Sequence, residues 1–323
     1  MRVNRRLAIA LAFVSGAPVL HAQPSTYPDK AVRMVVPFAP GGPADVLARV
    51  LAEELAKELK QPVIVENKAG AAGNIGVAQI AKASPDGYTL GVVPNGNLVV
   101  NPSLYPALPY KASELQPLAM LGEVENILVV NNNVPAQTLK ELLALAKSKP
   151  NALSFATPGA GSQAHMAAEL LAQQAGVQMT HVAYKGMGPA MSDVLSGHVT
   201  MLFGSASTVL PFIQSGKLRA IGVASPKRSP ALPDLPTIAE QGLPGFEAIS
   251  WYALVAQAGM PKAIVDKLAR DVSVVMKRPE IQKKIAAQGI SVASYTPEQL
   301  SARMKSETTR WADVIKSRNL SLD

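Results

Sequence analysis

The sequence contains no cysteine. No disulfide framework can hold the fold, so stability has to come from a large buried core, and no lipid can be attached through a cysteine behind a leader. Histidine is almost as scarce. Of four in the chain, only His165, His181 and His198 lie beyond residue 22, none at metal-ligand spacing, so neither a metal site nor a cofactor is expected. Aromatic residues make up 5% of the chain, and no Lys/Arg-rich block or basic stripe with interleaved aromatics occurs, which argues against nucleic acid as a partner. A G-x-S-x-G elbow and a Walker A loop are both missing, and Ser162 with His165 three residues on is not by itself a nucleophile–base pair. The expectation is a protein that is not an enzyme; an α/β hydrolase is the rival that these absences argue against.

What is present begins with a leader pattern. Arg2, Arg5 and Arg6 precede an apolar run from Leu7 through Val14 and onward to Leu20, too short to span a bilayer, and cleavage is expected after Ala22. Export to the periplasm without a lipid anchor follows. Loss of residues 1–22 removes three arginines and no acid, leaving 28 basic against 23 acidic side chains, a formal +5 in place of +8. About 300 remaining residues exceed what one core usually holds, so two lobes are expected.

Short apolar runs then alternate with helical periodicity. Ala31–Val36, Pro62–Glu66 and Thr89–Val93 read as strands, separated by helices over Gly42–Leu59 and Gly73–Lys82. Val46, Leu47, Val50, Leu51, Leu55 and Leu59 give the first helix one apolar face, and Pro43 suits its first turn. Such βαβαβ alternation predicts a parallel sheet with helices on both faces. Leu118–Gly122 and Ile127–Val130 interrupt the rhythm. A second α/β series follows, with strands near 153–156, 180–183, 199–203 and 218–224 and helices between them. Residues 225–244 are proline-rich and read as a surface excursion. Ser250–Ala256 is a further strand, and the remainder is helical, with a last helix opened by Thr296-Pro297-Glu298. The economical arrangement returns that final segment to the first lobe. It predicts a leader over 1–22, one lobe from 23–124 and 251–323, a second from 125–250, and two crossings that form a hinge over a cleft.

In open α/β sheets, ligands bind beyond the carboxyl ends of strands, where loops lead into helix starts. Six loops here are rich in glycine and small polar residues: PFAPGGPAD (37–45), AGAAGNIG (69–76), PNGN (94–97), TPGAGSQAH (157–165), YKGMG (184–188) and FGS (203–205). Glycine lets backbone amides approach a ligand, and unpaired amides with the helix dipole favour a negative group. Two such loops, one per lobe, would clamp a small organic anion, in first place a carboxylate. Asp45 could orient a ligand group or serve only as a dipole partner in a first helical turn. Ser162 reads as a helix cap able to reach a ligand oxygen, and His165 faces the same helix start as either a contact or a packing residue. Lys185 could supply charge at a strand end, and Asn95 could donate its amide or take a left-handed turn. Trp251 and Trp311 read as packing residues. Gly159-Ala160-Gly161-Ser162-Gln163-Ala164 satisfies G-x-G-x-x-A, but Tyr184-Lys185 ends the next strand where a dinucleotide site wants an acid, so the segment reads as a generic anion loop.

The stretches YPDKAVRMVVPFAPGGPAD, VENKAGAAGNIG, SPDGYTL, ATPGAGSQAHMAAELL, HVAYKGMGPAMSDVLSG, GKLRAIGVAS, LPDLPTIAEQGLPGFEAISWYALVA and TPEQL together resemble the Bug family, the periplasmic receptors of tripartite tricarboxylate transporters. The resemblance runs from residue 27 almost to the end. It implies an α/β, type II periplasmic-binding-protein fold: two doubly wound lobes joined by two crossing strands, with a ligand between them. It implies as partners a small organic anion and the membrane permease subunits of the transporter; a monomer is the default expectation. A sensory role beside a membrane kinase is the alternative. Carried over position by position, it implicates Phe38, Ala39, Gly42, Asp45, Thr157, Gly161, Ser162 and the Lys185-Gly186 loop. One departure concerns Gly204, which stands after Met201-Leu202-Phe203 where relatives often carry an acid; an acidic pair common near 198–200 is missing too. An acid facing the cleft would pair with a ligand amine, so the expectation is a ligand without one.

Overall fold

The computed structural model describes residues 27–322 apart from 185 and 294, and the leader over 1–22 lies outside the described residues. Apolar runs of five or six residues, flanked by turn-forming glycine, proline and asparagine, set the strands. Three of them, β1 (Val32–Val36), β2 (Val63–Asn67) and β3 (Thr89–Pro94), run parallel. Between them lie α1 (Pro43–Leu59) and α2 (Asn74–Ala81). Helix α1 starts where the sequence indicates, with Gly42 as cap and Pro43 in the first turn, and its predicted face is buried at Leu47, Val50, Leu51, Leu55 and Leu59. After β3 the chain makes a π-helical turn over Gly96–Val100 and a short helix α3 (Asn101–Leu104) before β4 (Leu115–Val124).

The chain then enters a second sheet through β5 (Asn126–Asn131). There follow α4 (Leu139–Ser148), β6 (Ser154–Thr157), α5 (Gln163–Ala175), β7 (Thr180–Ala183), α6 (Met187–Ser196), β8 (Met201–Ser205), α7 (Ala206–Gln214) and β9 (Leu218–Val223). It returns at β10 (Ser250–Gln257) and closes with α8 (Lys262–Met276), α9 (Pro279–Ala286) and α10 (Pro297–Ser317). The order is β2-β1-β3-β10-β4 in one sheet and β7-β6-β8-β5-β9 in the other. The two lobes therefore share a plan: a parallel trio, then an antiparallel strand that borders a crossing, then an outer strand. Neither sheet is the wholly parallel one that βαβ alternation alone predicts, because β10 and β5 run against their neighbours.

Two further expectations need correction. FGS is not a loop: Phe203, Gly204 and Ser205 complete β8 and pair with β5. The proline-rich stretch is not merely a surface excursion, since Thr237 bridges to Val223, and Ser229, Thr237 and Ile238 are buried. Helix α9 starts anew at Pro279 behind Arg278, in a stretch before the last helix that the sequence marks only as helical.

Packing ties the lobes together. One buried cluster runs from Val93, Leu98 and Leu104 of the first lobe to Phe155, Met166 and Phe203 of the second, and takes in both Trp251 and Trp311. Separate clusters fill the outer layers, under α1 and α8 in the first lobe and under α6 and α7 in the second. Each large side chain removed from water stabilises the fold by about 1.5–3 kcal/mol, so a chain without disulfides can rest on these layers. The crossings are braced by polar groups. Asn126 donates its amide to Ala248 O at 2.7 Å and to Ser250 Oγ at 3.2 Å, linking the outgoing strand to the returning one. On α10, Arg303 bonds Glu307 at 2.8 Å, Glu247 at 3.4 Å and Glu123, and so holds the ends of both crossings.

Candidate functional site

The loop from β1 to α1 is shaped by Asp45. Its carboxylate accepts from Gly41 N at 3.0 Å, Arg49 Nε at 2.9 Å and Asn67 Nδ2 at 2.9 Å, and Asn67 Nδ2 also donates to Phe38 O. The Arg49 hydrogen bond, outweighing burial and aided by Asn67 and Gly41, lowers the Asp45 pKa to about 2. Asp45 is thus a buried brace whose oxygens are committed to the loop. With Gly41 turned to φ +95°, the loop leaves the amides of Gly42, Ala44 and Asp45 without an acceptor among the described residues. Ala39 is exposed and Phe38 half-buried. The Phe38 ring lies over Gly73, where a β-carbon would come within 2.8 Å of Phe38 Cζ and 3.1 Å of Asn97 Oδ1. Three loops of the first lobe meet at that glycine.

Beneath them lies a polar knot that the sequence reading missed. Asn74 Oδ1 accepts from Asn101 Nδ2 at 2.7 Å, Asn97 Nδ2 at 3.0 Å and Tyr110 Oη at 3.2 Å. It pins the π-helical turn, a local distortion that often marks functional segments. Three asparagines scattered over 27 residues carry no spacing that would announce them. Asn95 takes right-handed helical backbone angles rather than a left-handed turn, and its Nδ2 donates to Ile249 O at 3.1 Å and across the lobes to Gln163 Oε1 at 3.2 Å.

In the second lobe, Thr157 ends β6 fully buried, with Oγ1 2.7 Å from His181 Nε2. Ser162 caps α5 by accepting from His165 N at 3.3 Å. Gly161 N donates to His165 Nδ1 at 3.1 Å, so the imidazole proton sits on Nε2, which faces Glu169 Oε1 at 3.7 Å. Burial and, next, the neighbouring His181 lower the His165 pKa to about 3, and burial lowers that of His181. The two rings stack at 4.1 Å between centroids, against Phe155. Gly186 N donates to Pro158 O at 3.1 Å, joining two of the predicted loops, while Lys185 lies outside the described residues. Gly204 stands apart. It is paired with Ile127 inside β8, and a β-carbon there would meet Val209 Cγ1 at 2.4 Å, so its smallness serves the packing of α7.

Across the seam, Gly161 (φ +77°) abuts Asn101 and Leu104, where a β-carbon would meet Leu104 Cδ2 at 2.9 Å. The amides of Gln163 and Ala164, the first two of α5, find no acceptor among the described residues. Free amides at the start of a 17-residue helix in one lobe and a 13-residue helix in the other are donors for a negative group. The structure brings Phe38, Asn95, Thr157, Gly161, Ser162, His165 and Gly186 to connected loops along this seam, with Gly42 and Asp45 at the start of α1.

Two α/β lobes with unclaimed helix-start amides along their seam have the architecture of a solute-binding receptor. The family model described as "Tripartite tricarboxylate transporter family receptor" matches residues 47–320, and the chain belongs to that family. It is 39% identical to Protein BugT of Bordetella pertussis over 98% of both chains. Among solved structures it resembles Rhodopseudomonas palustris MatC with bound malate, at 34% identity, TM-score 0.78 and coverage of 90% of this chain and 100% of that one. It is also similar to the R. palustris protein Rpa4515 with adipate, at 31% identity, TM-score 0.81 and coverage of 91% and 99%.

Proposed function

We propose that this receptor captures a small organic carboxylate without an amine between its lobes, in the periplasm, and delivers it to the permease of a tripartite tricarboxylate transporter. The division follows the crossings: residues 23–124 and 251–323 form one lobe and 125–250 the other, closing about Glu125 and Ile249. The carrying observation is the pair of helix starts with unclaimed amides on opposite sides of the seam. The PFAPGG loop with Phe38, Ala39 and Gly42 would hold one side, braced by Asp45. Thr157, Gly161, Ser162 and the Lys185-Gly186 loop would hold the other, with His165 and Asn95 keeping the loops in register. Malate and adipate in related structures support the ligand class, and no helix among the described residues is long and apolar enough to cross a membrane. Malate and adipate both lack an amine, which supports an amine-free ligand.

The test is thermal shift of residues 23–323 against carboxylates, amino acids, sugars and aromatic acids. A ligand present at about 100 times its Kd should stabilise by about 2.7 kcal/mol. Response to carboxylates alone is the expected result. Tight aspartate or glutamate binding with no response to plain carboxylates would overturn the amine-free assignment, and response only to neutral solutes would overturn the anion site.

A further inference from the structure

Gln163 plays no part through its side chain in the reading above, yet its side-chain nitrogen is a buried polar atom at the seam without a partner among the described residues. It is the first residue of α5, directly after the Ser162 cap. Its orientation follows from its neighbours. Ile249 O can only accept, so Asn95 must turn its Nδ2 toward it; the same Nδ2 faces Gln163, whose carbonyl Oε1 must therefore be the atom that receives it. That leaves Gln163 Nε2 pointing away from Asn95. The nitrogen is fully buried, and its two N–H groups have no acceptor among the described residues.

A buried carboxamide nitrogen without an acceptor is unfavourable until a ligand supplies one. The backbone N–H of the same residue is open as well, at the positive end of the α5 dipole. Two donors on one residue, both unclaimed and both at the helix start, suit the two oxygens of a carboxylate. We infer that Gln163 is a specificity-determining residue that donates its side-chain amide to the bound carboxylate. Its orientation is set jointly by Asn95 of the other lobe and the Ile249 carbonyl at the crossing. The donor is thus aligned only when the lobes meet, which ties ligand choice to closure. A neutral solute lacking an acceptor at this point leaves the amide unsatisfied and is rejected. This inference rests on the carboxylate reading of the seam.

The deciding variant is Gln163→Glu. It keeps the side-chain length and an oxygen for Asn95 Nδ2, but replaces both N–H donors with an anionic oxygen. Calorimetry is run with the strongest carboxylate found among malate, adipate and related diacids. Gln163→Glu should weaken binding by at least about 100-fold and Gln163→Met by about 10-fold or more, the range for a lost hydrogen bond to a charged group. Equal affinity for Gln163→Glu and the unaltered protein would mean that the side chain only braces Asn95, and the inference falls. Should the variants fail to fold, the unaltered protein decides. The Gln163 side-chain 15N–1H2 signals, assigned through the backbone, should move downfield on adding the diacid, and unmoved signals overturn the assignment. If no carboxylate binds the unaltered protein, the carboxylate reading fails first and this inference with it. If one binds and Gln163 is silent, only the inference fails.

Discussion

At the scale of single residues, the seam is decided by which donors are already used. His165 illustrates this: its Nδ1 takes the Gly161 amide, so that amide belongs to the loop, and it does so only while the ring is neutral. Burial holds the folded His165 pKa near 3 against an ordinary value of 6.5, and His181 is displaced in the same direction. In the unfolded chain both rings take up protons below about pH 6.5, so that state is favoured as pH falls. The His165 contribution is full above pH 6.5 and is lost progressively toward pH 3. The unfolding free energy from denaturant titration should fall between pH 6.5 and 5, by up to about 1.4 kcal/mol per pH unit from His165, with His181 acting in the same direction. His165→Asn offers Gly161 an acceptor that does not titrate and should flatten the slope, leaving the His181 share. Parallel slopes for the two proteins would show that His165 titrates normally. The sequence made the glycine loops legible, because strand, glycine and helix start follow one another in a recognisable order. It could not show which amides Asp45, Ser162 and His165 consume, nor that Gln163 is left with none, because those pairings depend on side-chain directions and on contacts across the lobes.

Elements were more legible than their junctions. Strand β7 over Thr180–Ala183 has the bounds that the sequence indicates, and α10 begins at Pro297 behind its Thr296 cap, as the helix-start signal Thr296-Pro297-Glu298 indicates. The π-helical turn after β3 escaped, because it is stabilised by Asn74 and Tyr110 from elsewhere rather than by its own pattern. Helix α10 has a role that no local signal shows. It packs on β4 and α3 of the first lobe, but its last turn reaches α5 of the second. Arg318 Nε meets Glu169 Oε2 at 2.8 Å, with the Glu169 side chain 6% exposed, and Gln173 Nε2 reaches Ser317 Oγ. Removing one partner of a buried ion pair leaves the other uncompensated at a cost of about 3–5 kcal/mol, and opening the lobes is the easiest way for Glu169 to regain water. Arg318→Met should therefore enlarge the radius of gyration of the ligand-free protein in small-angle scattering. Adding Glu169→Gln removes the stranded charge and should restore compactness. Superimposable profiles for Arg318→Met and the native protein would show that the pair does not hold the lobes together.

For the molecule as a whole, the shared strand order has a mechanical consequence. In both sheets the antiparallel strand beside the parallel trio adjoins a crossing, β10 in the first lobe and β5 in the second, so rotation at the crossings would act on the strand next to each trio. Such a rotation would carry the loops at the carboxyl ends of both trios together or apart. The side chain that couples the crossings is Asn126, buried, with its amide divided between Ala248 O and Ser250 Oγ, while its own carbonyl accepts from Ala224 N at 2.8 Å. Asn126→Ala keeps that backbone bond and removes only the side-chain links, leaving Ala248 O in need of a partner at a cost of about 1–3 kcal/mol. Amide exchange at Ile249 to Tyr252 should quicken in the variant, while the centres of β1 and β6, far from the crossings, keep their protection. Bound carboxylate should restore part of the lost protection, since it holds the lobes together from the cleft side. Uniform quickening across both sheets would instead mark Asn126 as an ordinary core residue, and the lobes as moving about some other line.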